Sequence, residues 1–187
     1  IPANLSATAL PEGKVSLSWD TVPGATQYRL QRKATGTPEF SEVQTFNADI
    51  TSTIDGEING TLNGYYEYVI SSLREGQGTV AESANSEVVA VEALSDKPLA
   101  PESLQVNLTS QGVQANWQEV QGEGITYNLY EVENETQVEL TQENLKLSAL
   151  QQISGTDSRV AKYQSYYVVT AVDAVGNESN PSNVALA

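Results

Sequence analysis

The chain has 187 residues, with 24 Asp and Glu against 9 Lys and Arg, a net charge of −15, and neither Cys nor His. These counts exclude disulfides, Cys/His zinc sites, thiol nucleophiles and the Ser-His-Asp and Cys-His mechanisms. The negative field opposes phosphate backbones and anionic lipid surfaces, so no nucleic-acid partner is expected. Residues 1–94 hold 5 basic and 12 acidic side chains and residues 95–187 hold 4 and 12, so the acidity is spread evenly. A solvated soluble surface accounts for it, and adaptation to a salty or calcium-rich medium is the sharper reading.

No apolar run approaches the roughly 18 residues that span a bilayer, so no membrane insertion is expected. No basic-plus-apolar leader opens the chain, and it lacks Met. It therefore reads as a processed or excised piece of a larger protein.

The predicted elements repeat. Val15-Ser16-Leu17-Ser18-Trp19 alternates apolar and polar residues, as does Val113-Gln114-Ala115-Asn116-Trp117; these are half-buried strands ending in the two tryptophans, 98 positions apart (117 − 19). Turns at Pro23-Gly24-Ala25 and Gly122-Glu123-Gly124 reverse the chain. The next strands are Gln27-Tyr28-Arg29-Leu30-Gln31 and Thr126-Tyr127-Asn128-Leu129-Tyr130. Residues 143–153 fit a strand through Leu145, Leu147 and Leu150 slightly better than a helix. The strongest β-formers are Gly64-Tyr65-Tyr66-Glu67-Tyr68-Val69-Ile70 and Tyr163-Gln164-Ser165-Tyr166-Tyr167-Val168-Val169. Turns at Gly76-Gln77-Gly78 and Gly176-Asn177 follow, and each copy closes on a valine-rich strand. Pro98 and Pro101 mark a semi-rigid linker, with two domains expected at 1–94 and 95–187.

This ordered set, present twice, resembles the fibronectin type III family. The resemblance implies an all-β fold of two tandem immunoglobulin-like β-sandwiches, with Trp19 and Trp117 between their sheets. It further implies that Val15, Leu17, Val113, Ala115, Tyr68, Ile70 and Ser72 face inward, and that Tyr66 is the family's corner tyrosine. The second copy has Ser165 at that position, with Tyr163 or Tyr166 as substitutes in a shifted register. Its ending, Thr170 to Ser179, resembles bacterial members. A non-catalytic spacer and protein-interaction role in a larger extracellular, cell-surface or periplasmic protein follows by analogy. The expected partners are the other domains of that protein, with a protein or polysaccharide ligand as a further candidate, and the chain is expected to be a monomer.

If Tyr127 and Leu129 face inward, Tyr130 faces outward; by the same alternation Tyr166 and Val168 do too. On neighbouring strands, Tyr130, Tyr166 and Val168 would form an exposed aromatic patch for a sugar or protein ligand, or simply pack across the sheet. The first copy offers Gln31, Glu67 and Val69 there. Glu131-x-Glu133-x-Glu135 and Asp49 with Asp55-Gly56-Glu57 carry the clustered oxygens calcium prefers, but lack the spacing of an EF-hand and read better as a solvated face. No catalytic residue, metal or cofactor is expected. Five Asn-x-Ser/Thr sequons begin at Asn4, Asn59, Asn107, Asn134 and Asn177 and read as chance products of an Asn- and Thr-rich surface.

Overall fold

The structure, a computed structural model, describes residues 1–57, 60–159 and 164–187. All regular elements among them are β-strands. The chain divides into two compact units, Ile1–Asp96 and Lys97–Ala187.

In the first unit β1 (Ser6–Leu10), β2 (Lys14–Ser18) and β5 (Ser52–Asp55) form one antiparallel sheet in the order β1-β2-β5. The facing sheet runs β4 (Ser41–Asn47), β3 (Gln27–Ala34), β6 (Gly64–Gly76), and both β7 (Thr79–Glu82) and β8 (Val89–Ala93) pair with β6. Alternation in β2 sends Val15 and Leu17 fully into the core while Ser16 and Ser18 face away. Trp19 lies 5.9 Å from the Tyr28 ring and 5.6 Å from Phe46, between the sheets. Gly13 sits at φ 66°, where a Cβ would stand 2.2 Å from the Leu62 carbonyl oxygen. Only glycine lets these two backbones meet there.

The second unit repeats this plan. One sheet is β9 (Gln105–Thr109), β10 (Gly112–Asn116) and β13 (Ser154–Asp157), with β10 central. The other runs β12 (Leu145–Leu150), β11 (Thr126–Val132), β14 (Tyr166–Val172), β15 (Ala185–Leu186). Residues 145–150 are thus a strand, pairing irregularly with β11 through register shifts. Its core gathers Val113, Ala115, Trp117, Tyr127, Leu129, Tyr167 and Val169. Gly112, at φ 122°, leaves no room for a Cβ beside the Asp157 carbonyl.

Two devices recur that the tryptophan spacing does not reveal. The first closes each sandwich where its last strand departs from the ladder. Ser83 and Ser86 Oγ accept hydrogen bonds from Ser72 N and Ile70 N, while their own amides donate back to the Ser72 and Ile70 carbonyls. Ser179 and Ser182 do the same with Ala171 and Val169. The hydroxyls satisfy backbone donors that the departing strand would otherwise leave bare. The second device is the tyrosine after the turn: Tyr28 OH accepts from Val22 N at 2.7 Å and Tyr127 OH from Val120 N at 2.8 Å, pinning each turn to the core.

The corner tyrosine differs from expectation. The Tyr66 hydroxyl reaches the Asn63 carbonyl at 3.5 Å, a marginal contact. Its ring instead lies under the Arg32 guanidinium, 5.4 Å away. In the second unit Glu131 occupies the position of Arg32, opposite Tyr167 as Arg32 is opposite Tyr68. Ser165 stands where the tyrosine would be and donates to Glu131 Oε1 at 3.0 Å. Tyr166 packs on the other face of the sheet, and Tyr163 lies outside the described residues.

Candidate interaction surface

The face of β11 and β14 turned away from the core does bring the three predicted residues together. Tyr130 is opposite Val168 in the ladder, and Tyr166 is opposite Val132. The expected exposed patch is not there, however: Tyr130 is 3% exposed and Val168 fully buried, with Tyr166 half-buried. The three join Val132, Val138, Leu145 and Val184 in a small second core. The cause is the connection after β11. Residues 133–144 bring Val138 onto this face, β12 sets Leu145 opposite Tyr130, and Val184, just before β15, packs on it as well. In the first unit the corresponding connection, residues 35–40, is half as long. Its outer face carries ion pairs, Lys33–Glu67 at 3.0 Å and Arg29–Glu82 at 2.5 Å. Val69, expected to face solvent there, is also buried.

A carboxylate closes each outer face. Glu178 Oε1 accepts from Thr170 Oγ1 (2.5 Å), Tyr130 OH (2.8 Å) and Asn128 Nδ2 (3.1 Å). Burial and this hydrogen bond to Glu178 push the Tyr130 phenol up to about 12. Burial works to raise Glu178 as well, but the bonds from Thr170, Tyr130 and Asn128 outweigh it and hold the carboxyl below its ordinary range. Glu82 does the same work in the first unit, taking Ser71 Oγ at 2.6 Å and Arg29. Both glutamates directly precede the closing serines, so Glu82-Ser83-x-x-Ser86 and Glu178-Ser179-x-x-Ser182 form one repeated motif that a search for tryptophans and tyrosines passes over.

The inner carboxylates are likewise committed. Asp55 Oδ2 accepts from Arg32 at 2.5 Å and from Tyr68 OH at 2.9 Å, and its Oδ1 accepts from Gly56 N. Asp157 accepts from Tyr167 OH at 3.1 Å and from Arg159 through both oxygens. The two aspartates hold equivalent places, opposite Val15 and Val113. Their spacing (157 − 55 = 102) differs from that of the tryptophans, which hid the match. Burial, then the neighbouring aspartate, raises the phenols of Tyr68 and Tyr167 far above the ordinary tyrosine range. Asp55 is therefore an internal anchor rather than an exposed calcium ligand.

Glu131, Glu133, Glu139 and Glu143 line a groove of about 480 Å³ beside the second unit's β11, together with Lys146 and Ser165. Lys146 Nζ lies 3.7 Å from Glu131 and donates to the Glu143 carbonyl. Among the described residues no group of three or more acidic side chains converges as a metal site. No helix there is long and apolar enough to cross a membrane.

No protein-family model matches the chain, and no curated protein matches it. Solved structures do. The FN1–FN3 domains of chicken CNTN1 superpose over 100% of this chain with a TM-score of 0.73 at 14% identity. Each unit has the fold of a fibronectin type III β-sandwich. The chain spans 66% of that CNTN1 chain. An Fn3-like protein from Clostridium thermocellum is 24% identical over 49% of this chain and 90% of its own, with a TM-score of 0.39.

The second unit should respond to acid through two groups. Burial works against ionisation of Asp157, yet the Arg159 and Tyr167 hydrogen bonds hold it below its usual range; Glu178 is depressed too. A depressed native value adds stability above the unfolded value, and that stability is lost as pH falls through the native one. From neutrality down, the protein first gains as surface carboxylates stop repelling one another. Below about pH 4 it should lose stability as Asp157 and Glu178 protonate. Melting temperature against pH should pass through a maximum. Asp157→Asn with Glu178→Gln should flatten the acid limb, and an unchanged limb would refute the assignment.

Proposed function

We propose that the chain is a non-catalytic spacer and protein-interaction segment of a larger secreted or cell-surface protein. Its partners on this reading are the flanking domains of that protein, and it acts as a monomer outside the cytoplasm without binding nucleic acid. The observation that carries the reading is the commitment of internal chemistry to structure. Both cores are filled by side chains, the buried carboxylates are hydrogen-bonded, and the apolar outer face of the second unit is covered by its own chain. Such units offer adjoining domains a fixed body rather than a reactive cleft. The reading in which Tyr130, Tyr166 and Val168 bind a carbohydrate or protein loses its exposed face.

The test is replacement within the parent protein. Exchanging residues 1–187 for two unrelated β-sandwich modules of equal length should preserve the parent's activity, whereas a flexible Gly/Ser segment should reduce it. Loss of activity with the unrelated sandwiches would overturn the spacer role and place a specific ligand surface on this chain.

A further inference from the structure

The sequence offers no reason to choose among the five sequons, but the structure separates them. Asn177 is 3% exposed, with its Nδ2 donating to Asp173, so a glycan there would require the turn to open. At Asn4 the Ser6 hydroxyl is bonded to Ser18, and Asn4 Nδ2 donates to Asp20. Asn107 lies within β9, and the hydroxyl of its sequon, Thr109 Oγ1, donates to the Gly112 carbonyl. Asn59 lies outside the described residues.

Asn134 is different. Its Oδ1 accepts from Thr136 N at 2.9 Å, Thr136 Oγ1 at 2.9 Å and Gln137 N at 3.0 Å. Among the described sequons it alone has the sequon hydroxyl on its own side-chain carbonyl. Hydrogen bonds to that oxygen stabilise negative charge on the amide, so a proton on Nδ2 is easier to remove. Residues 133 and 135–137 are all exposed, and the loop stands outside every strand ladder, so a bulky group there displaces no ladder bond. Nδ2 itself donates only to the exposed Gln137 side chain, a partner that can swing away.

We propose that Asn134 is an acceptor for an N-linked glycan. The donor class is an oligosaccharide carried on a lipid diphosphate. Nδ2 attacks C1 of the first sugar and gives up one proton to a base of the transferase. The C1–N bond forms as the C1–O bond breaks, and the lipid diphosphate leaves with the electron pair. The proposal rests on the extracytoplasmic reading above, but its test does not. The chain is expressed behind a supplied secretion leader in a eukaryotic host, and glycan occupancy is mapped by mass spectrometry of the secreted, folded protein.

Asn134 should carry glycan and Asn177 none. Asn134→Gln and Thr136→Ala should each abolish occupancy at 134, while Thr136→Ser retains it. Thr136 is exposed, so equal melting of the Thr136→Ala protein separates loss of the acceptor from loss of the fold. An empty Asn134 in a secreted, folded chain overturns the proposal, as does occupancy indifferent to Thr136→Ala. Neither result bears on whether the native protein is extracellular.

Discussion

Trp19→Ala should cost the first unit about 3–5 kcal/mol, and Trp117→Ala should cost the second a similar amount or slightly less. Each loss is comparable to the whole stability of a small domain, so chemical denaturation should show the altered unit unfolding early or populated unfolded in buffer. The first site is the more aromatic. Trp19 meets both Tyr28 and Phe46, whereas Trp117 meets Tyr127, with Leu150 opposite Tyr127 where Phe46 is opposite Tyr28. Neither indole Nε1 has a hydrogen-bond partner among the described residues. Phenylalanine therefore discards a buried, unpaired donor along with some volume, and Trp→Phe should be much milder than Trp→Ala at both positions. Equal melting of either alanine variant and its parent would show that the tryptophan is not the centre of its core.

Removing the arginine beside each buried aspartate should affect the two units very differently. Asp55 has no side-chain exposure and Arg32 only 20%, so Arg32→Met strands a buried carboxylate. Breaking one side of such a pair costs about 3–5 kcal/mol. Tyr66 also loses the guanidinium above its ring. Arg159, by contrast, is 51% exposed, and water can take its place beside Asp157. Arg159→Met should cost about 1 kcal/mol or less. Adding Asp55→Asn to Arg32→Met should recover much of the loss, because the uncompensated charge is gone. Equal destabilisation by the two arginine substitutions would mean that burial does not set their cost. No rescue by Asp55→Asn would place the first unit's loss in packing instead.

The outward aromatics show where reading a sequence stops. Alternation correctly puts Tyr130, Tyr166 and Val168 on the face opposite Tyr127, Tyr167 and Val169. Facing away from one core, however, does not mean facing water. Whether residues 133–144 fold back over that face depends on contacts of Val138 and Leu145 with Tyr166, Val168 and Val184, which lie much further along the chain. Likewise the period of 98–99 residues exposes Trp, Tyr28 with Tyr127, and Tyr68 with Tyr167. It hides Asp55 with Asp157, because loop lengths between them differ.

Local pattern carries the two-fold repeat, the strands β2, β3, β6, β10, β11 and β14, and the inward residues Val15, Leu17, Trp19, Val113, Ala115 and Trp117, whereas β1, β4, β5, β7, β9 and β13 emerge only in the fold. Period-2 alternation and turn chemistry are local properties written in consecutive residues. Composition also rules out thiol and histidine chemistry. Which carboxylates are buried, which cation answers each, and what covers the second unit's outer face are settled by the folded chain. Those outcomes turn on hydrogen bonds and packing between distant segments. Arg32 reaches Asp55 from a facing sheet, while Arg159 reaches Asp157 from two residues away, and no spacing rule spans both.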